Sequence, residues 1–339
     1  MRVLRIYPTA NDRRHRQRDL ALREVGVEVA LVAPFSYGPD WAPAPIEPEL
    51  PHWRSGLLNK NSIPLHLWDP RALGRAVRQF RPDLVDIHEE CYFPGGAQAV
   101  RAAGRLPVTM FAAQNIPKRY PAPIRLMRRW VLGRVAAAYP CSSEAAAVLR
   151  SWGFGGRIRV VPYGADDVLF TVRPTGDRVG FVGRLTPEKG VRDLLGFGPQ
   201  LLCVGDGPLR AQVLAAGGEV VRAGTPAELA AAFARMAVLA IPSRTTSGWK
   251  EQFGRVAAEA MAAGVPVVAY DSGALAEVIG EAGVLVPEGD RAGLVAAVEG
   301  VLAEPDGLGE RGRARAEERF RWSAVAAEMV EVYREALAA

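Results

Sequence analysis

Short apolar runs alternate with stretches of helical periodicity along most of the chain. In the first half, residues 3–7, 28–33, 84–88, 108–112 and 158–161 read as strands. Helical patterns lie between them, ending near residue 24 and then covering 71–80, 97–103, 124–138 and 144–152. Residues 34–70, rich in Pro, Trp and polar side chains, are expected to be irregular. The second half repeats the scheme, with strands over 179–182, 201–204, 219–222, 238–241, 265–269 and 284–286 and helices over 227–236, 255–263 and 292–302. Strands separated by helices imply parallel sheets joined by crossover connections, an α/β architecture. No short-period repeat runs through the chain, so two Rossmann-like domains are expected, not a solenoid. Residues 170–177, with Pro174 and Gly176, are the expected linker. Open α/β domains bind ligands at the carboxyl ends of their strands, here expected in a cleft between the two.

Composition narrows the class. With 339 residues, 49% hydrophobic and 23% charged, the chain has material for two domains of ~150 residues and is not a disordered tail. Its apolar runs fall far short of the ~18 residues of a membrane span. Residues 1–14 hold Arg2 and Arg5 without a long apolar stretch, so no secretory leader is expected. Cys91, Cys141 and Cys203 are scattered, without Cys-x-x-Cys spacing. That argues against a disulfide framework or a structural zinc site and for a cytoplasmic protein. The net charge of +5 is uneven: residues 1–170 carry 24 Lys and Arg against 15 Asp and Glu, and residues 171–339 carry 18 against 22. Either the first half meets an anionic partner, or the charge is idle surface arginine.

Three segments carry candidate chemistry. Residues 241–271 read IPSRTTSGWKEQFGRVAAEAMAAGVPVVAYD, a strand, a polar loop and an Ala-rich helix opening near Phe253-Gly254. Glycine at a helix start lets a ligand approach free backbone N–H groups, where the dipole favours anions. Glu251 precedes that helix and Glu259 lies within it; carboxylates there suit sugar or ribose hydroxyls, or are simply helix residues facing water. In VGFVGRLTPEKGV, residues 179–191, a strand runs into Gly183, and Arg184 and Lys189 follow in a loop suited to a diphosphate. The Gly205-Asp206-Gly207 turn in LLCVGDGPLR is either a plain turn or a third ligand loop.

GRLTPEKG, VGDGPLR, PSRTTSGWKEQFGRVAAEAMAAGVPVV and the 273–277 stretch together resemble the retaining family 4 glycosyltransferases. That family's Glu-x7-Glu corresponds to Glu251 and Glu259. The resemblance covers roughly residues 179–290, and extends more weakly through RPDLVDIHEE, AAQNIPKRYP, CSSEAAAVL and the closing FRWSAVAAEMVEVYREAL. It implies the glycosyltransferase B fold, with an acceptor domain over 1–170, a donor domain over 171–322, and a helix over 323–339 packing back on the first. It implies transfer of a sugar from a nucleotide-sugar to a glycan, glycolipid or small-molecule acceptor, with no metal or other cofactor. By the same resemblance, Arg184 and Lys189 hold the donor diphosphate, and Gln252, Phe253 and Gly254 offer backbone N–H groups. Glu251 takes sugar hydroxyls and Glu259 the ribose, with Gly183, Asp206 and the 222–226 loop near the nucleotide. The alternatives are an epimerase on the same fold or a non-catalytic nucleotide-sugar-binding protein.

The chain departs from the family at three places, one of them a 191–226 segment shorter than usual. Residues 8–14 stand where a glycine pair is usual, and Gln114 stands where many members carry a histidine; glutamine is neither acid nor base at neutral pH. At the end of the 84–88 strand, His88, Glu89 and Glu90 are, with Gln114, the acceptor-side candidates, or the strand-end group is simply satisfied within its own domain. The run from Arg13 to Arg18 either holds an acceptor phosphate or faces solvent. Lys118–Arg134 mixes six basic residues with Ile124, Leu126, Met127, Trp130, Val131 and Leu132. Such a helix either lies on an anionic membrane surface or packs its apolar side on its own sheet. No nucleic-acid-binding module is present.

Overall fold

A computed structural model of the chain describes residues 1–37 and 45–339, the side chain of Arg14 excepted. The chain divides into two compact units, Met1–Val161 with Trp322–Ala339, and Pro162–Arg321. In the first, the elements run β1 (Arg2–Ile6), α1 (Gln17–Glu24), β2 (Glu28–Pro34), β3 (His52–Ser55), β4 (Leu57–Leu58), β5 (Leu67–Trp68), α2 (Pro70–Phe80), β6 (Leu84–Ile87), α3 (Pro94–Ala103), β7 (Val108–Ala112), α4 (Ala122–Leu132), β8 (Ala137–Pro140), α5 (Ser143–Ser151) and β9 (Arg157–Ile158). Seven strands form a parallel sheet in the order β3-β2-β1-β6-β7-β8-β9. The second unit holds β10 (Arg178–Val182), β11 (Leu201–Val204), α6 (Arg210–Ala215), β12 (Glu219–Val221), α7 (Pro226–Ala234), β13 (Met236–Ile241), α8 (Arg255–Ala262), β14 (Val267–Tyr270), α9 (Leu275–Ile279), β15 (Val284–Val286), α10 (Arg291–Ala303) and α11 (Leu308–Arg319). Its six strands pair in parallel in the order β12-β11-β10-β13-β14-β15. The last helix, α12 (Trp322–Leu337), belongs to the first unit, where it packs on α1 and β8 and buries Val325, Met329 and Tyr333.

Each sheet is buried on both faces, which explains the unbroken apolar strands of the sequence. Leu4, Ile6, Val85, Ile87, Val108 and Met110 lie in one core, and Val179, Phe181, Leu201, Val238 and Val268 in the other. Three expectations are corrected. The helix expected over 124–138 stops at Leu132, Gly133 caps it, and the apolar stretch that follows is the buried strand β8. An Ala-rich run fits helix or buried strand by composition, and here the sheet decides. Residues 34–70 are not irregular throughout: β3 extends the large sheet beside β2, and β4 pairs antiparallel with β5. Residues 38–44 of that stretch lie outside the described residues. The expected linker, 170–177, lies inside the second unit, because Phe170 and Val172 are buried and Arg313 donates to the Val172 carbonyl at 2.7 Å.

One polar cluster inside the first unit left no pattern in the sequence. Arg5 Nε donates to Asp86 Oδ2 at 2.7 Å, and its guanidinium also pairs with Asp19, which accepts from the Tyr7 hydroxyl. Thr109 (2.7 Å), Tyr139 (3.0 Å) and Tyr333 (3.1 Å) donate their hydroxyls to Asp86. All of these side chains are buried. A satisfied internal network of this kind fixes registry more than it adds stability, and here Tyr333 ties α12 to β6.

Candidate active site

The second unit brings the three sequence motifs together at the carboxyl ends of β10, β11 and β13. Strand β10 runs into Gly183, whose N–H donates to the Val204 carbonyl at 2.9 Å, and Leu185 N–H donates to the Asp206 carbonyl at 2.9 Å. At Gly205 (φ 147°) a Cβ would sit 2.0 Å from the Gly183 carbonyl oxygen. Glycine is therefore required where the two loops cross. Gly190 does the same for the Lys189 loop: at φ 73°, its Cβ would lie 1.8 Å from the Pro242 carbonyl oxygen. That close approach sets Lys189 against the loop after β13.

There Lys189 Nζ donates to Glu251 Oε2 at 2.7 Å, and Ser243 Oγ donates to the same oxygen at 3.1 Å. Lys189 Nζ also lies 4.6 Å from the Trp249 ring centroid. The ammonium is thus held from two sides, while its three N–H donors exceed what Glu251 alone uses. Glu251 is buried and sits in the loop, and its carbonyl accepts from Ala274 N–H at 3.1 Å. Arg184 is the open cation of the group: its side chain is 65% exposed and pairs with Glu188 at 3.3 Å.

Helix α8 begins at Arg255, with Gly254 as its N-cap at φ 84° and no side chain capping it. Gly254 carries no side chain to cap the first-turn N–H groups, which lie at the positive end of the helix dipole. Phe253 is buried, edge-on to Tyr163 (5.4 Å) and Phe320 (5.9 Å), which fixes the loop entering the helix. Gln252 is exposed beside it. Glu259 lies in α8, with Arg255 reaching it at 3.4 Å. Asp206 is half-buried and pairs with Arg222, which, with the Gly207 N–H, holds its carboxyl below the usual range.

In the first unit the four candidates take different partners. His88 stacks on Phe111 at 4.0 Å, and its Nδ1 lies 3.4 Å from both the Arg18 guanidinium and the Tyr139 hydroxyl. Burial, then Arg18, Arg5 and His15, push its pKa well down, so it is neutral at pH 7. A guanidinium only donates, which assigns the ring proton to Nε2. Glu89 is engaged inside the first unit. It is buried, accepts from Trp68 Nε1 at 2.9 Å, and its other oxygen lies 3.0 Å from His66 Nε2. Glu90 accepts the N–H groups of Ala113 (2.8 Å) and Gln114 (3.0 Å) through Oε1, while its buried Oε2 has no hydrogen-bond partner. Burial pushes its carboxyl up to about 7, against the pull of those two N–H groups and Lys118. Gln114 is buried and donates from Nε2 to the Tyr92 hydroxyl at 3.1 Å. The run 13–18 is no solvent-facing basic patch throughout: Arg16 is buried and donates to Glu47 at 2.6 Å, and Arg18 is buried beside His88. Helical spacing alone could have signalled this, since Arg18 and Asp19 open an α1 whose inner face also carries Ala21 and Leu22.

Among the described residues, no group of three or more His, Cys, Asp or Glu is placed to hold a metal ion, and no helix is long and apolar enough to cross a membrane.

Known proteins match both halves. A family model described as Glycosyltransferase Family 4 matches residues 20–168, and one described as Glycosyl transferases group 1 matches residues 176–304. A GDP-mannose-dependent alpha-mannosyltransferase of Mycolicibacterium smegmatis is 33% identical over 271 residues, covering 72% of this chain and 71% of its own. A 2-deoxystreptamine glucosyltransferase of Streptomyces kanamyceticus is 30% identical over 314 residues, covering 76% and 78%. The solved sucrose-phosphate synthase of Thermosynechococcus elongatus superposes with a TM-score of 0.76 at 22% identity, covering 100% of this chain and 99% of its own, a likeness of fold.

Proposed function

The chain belongs to the family 4, group 1 glycosyltransferases and takes its sugar from a nucleotide-sugar donor, and we propose that it transfers a hexosyl group with retention and without a metal ion. The observation that carries this reading is the Lys189–Glu251 pair, seated by Ser243 beside the uncapped start of α8. Arg184 and Lys189 take the donor diphosphate, with the backbone N–H groups of Gln252, Phe253 and Gly254. Glu251 accepts from the sugar hydroxyls and Glu259 from the ribose. Gly183 and Asp206 line the nucleotide side.

In the transfer, the bond from the anomeric carbon to the diphosphate oxygen breaks and its electron pair leaves with the diphosphate. Negative charge grows where Arg184, Lys189 and the helix dipole are placed, the work a metal would otherwise do. The acceptor hydroxyl attacks from the face the diphosphate leaves, and its proton passes to a departing phosphate oxygen. Retention follows, and no protein base is required. This suits the neutral His88 and Gln114 of the first unit, which we assign to the acceptor side. The enzyme would work in the cytoplasm, with its basic first half turned to an anionic acceptor or a membrane surface.

The test has two arms. A thermal-shift series with GDP-, UDP- and ADP-sugars reads the donor, GDP-mannose first because the mannosyltransferase relative uses it. Glu251→Gln should weaken binding of the nucleotide-sugar at least tenfold while changing that of the free nucleoside diphosphate less than threefold. Equal losses for both ligands would take Glu251 off the sugar.

A further inference from the structure

A cavity of about 230 Å³ opens on the first unit, which carries none of the residues assigned above to the donor. Its walls are apolar or aromatic, among them Leu65, Tyr92, Tyr120, Pro123, Ile124 and Met127. Tyr92 and Tyr120 stack at 4.7 Å, and Trp152 meets both edge-on at 5.7 and 6.0 Å, so this wall is rigid. A sugar would leave its hydroxyls unpaired against such walls, whereas an aliphatic chain would lose only its water.

Charge says what the chain must be attached to. From residue 91 to residue 143 the sequence has no Asp or Glu and eight Arg or Lys. Lys118 and Arg119 precede Tyr120, Arg125 follows Ile124, and all three are exposed. Arg128 lies 5.9 Å from the Tyr120 ring centroid. Cations on the loop and on α4 thus neighbour cavity-lining residues in sequence, and Arg128 does so in space. One wall residue also meets an acceptor-side candidate: the Tyr92 hydroxyl accepts from Gln114 Nε2.

We propose that this cavity seats the aliphatic chain of an anionic, amphiphilic acceptor, with its head group against Lys118, Arg119 and Arg125. The assignment rests on reading the first unit as the acceptor-binding one, and it narrows the acceptor to a class that the donor motifs do not specify.

The probes are butyl, hexyl and octyl phosphate, titrated calorimetrically as monomers into the full chain without donor. Affinity should rise about fourfold per added methylene until the cavity is full. Met127→Trp, which fills the cavity, should bring octyl phosphate down to the butyl value, a loss of at least tenfold. Leu126→Ala, altering a side chain that is 69% exposed on the same helix, should change none of the three. Lys118→Gln with Arg125→Gln should weaken all three probes by one common factor. If Met127→Trp lowers the melting temperature, Ile124→Ser serves as the second cavity variant. Equal affinity for butyl and octyl phosphate, or octyl binding untouched by both cavity variants, overturns the proposal. So does binding that occurs only to anionic vesicles and is lost in Leu126→Ala, which would make this face a membrane-contact surface instead. Because no donor is present, any of these failures leaves the transferase reading standing; that reading fails separately, in the nucleotide-sugar titrations.

Discussion

Replacing Glu90 with glutamine should remove a pH dependence that this one carboxyl imposes on the stability of the first unit. Its ordinary pKa is 4.5, and burial raises it to about 7. The folded chain therefore holds this proton more tightly than the unfolded chain does. The stability that follows is fully present below about pH 4.5 and is lost as pH rises through about 7. At about 1.36 kcal/mol per pH unit, the gap between the two values corresponds to roughly 3 kcal/mol. The glutamine keeps an oxygen for the Ala113 and Gln114 N–H groups, so the local fold has a replacement acceptor. It cannot ionise, so the variant should gain on the parent as pH rises. Melting curves from pH 4.5 to 8 would show this as a parent-minus-variant difference drifting by roughly 6–12 °C, the range expected for a unit of this size. Other carboxylates titrate alike in both proteins and cancel. A difference that stays constant across the range would refute the reasoning, because Glu90 would then ionise equally in the folded and unfolded chains.

Two further variants probe the donor loops. Gly190→Ala puts a Cβ 1.8 Å from the Pro242 carbonyl oxygen at φ 73°, and should cost about 3 kcal/mol or more, read as a lower melting temperature of the second unit. An unchanged melt would mean that the Lys189 loop does not sit on Pro242. Trp249→Ala removes the ring 4.6 Å from Lys189 Nζ, and should weaken nucleoside-diphosphate binding about two- to fivefold, with Trp249→Phe recovering part of the loss. Calorimetry would show it, and equal affinity in all three proteins would release Trp249 from that role.

Much of this architecture is written in local patterns. Buried parallel strands such as Val179 to Val182 are continuous apolar runs, and GRLTPEKG or WKEQFGR fixes its own loop through residues a few positions apart. The loops proposed to hold the donor are legible for that reason. Strand β8 was hidden because the Ala-rich run Val135 to Ala138 suits a helix as well as a buried strand, and only the pairing of Ala137–Pro140 with Thr109–Ala112 decides the matter. The Asp86 cluster was hidden because its members are far apart in sequence, Tyr333 lying 247 residues from Asp86. Glu89 looked like a strand-end candidate for the same reason: its partners His66 and Trp68 come from a stretch with little periodic signal. The first half of such a chain shows its sheet in sequence and hides which of its polar residues face inward.

The central claim is that Lys189, held by Glu251, receives the donor diphosphate. It is tested most directly by titrating the donor's nucleoside diphosphate into the parent and Lys189→Ala, with sugar transfer measured on the same preparations. Losing an N⁺–H···O⁻ bond of this kind is worth about 1.5–3 kcal/mol, so affinity should fall by at least tenfold. The charge that develops on the leaving diphosphate should make the loss of transfer larger, about a hundredfold or more. Circular dichroism should show the fold unchanged. Parent-like binding and transfer in a folded Lys189→Ala protein would contradict the account.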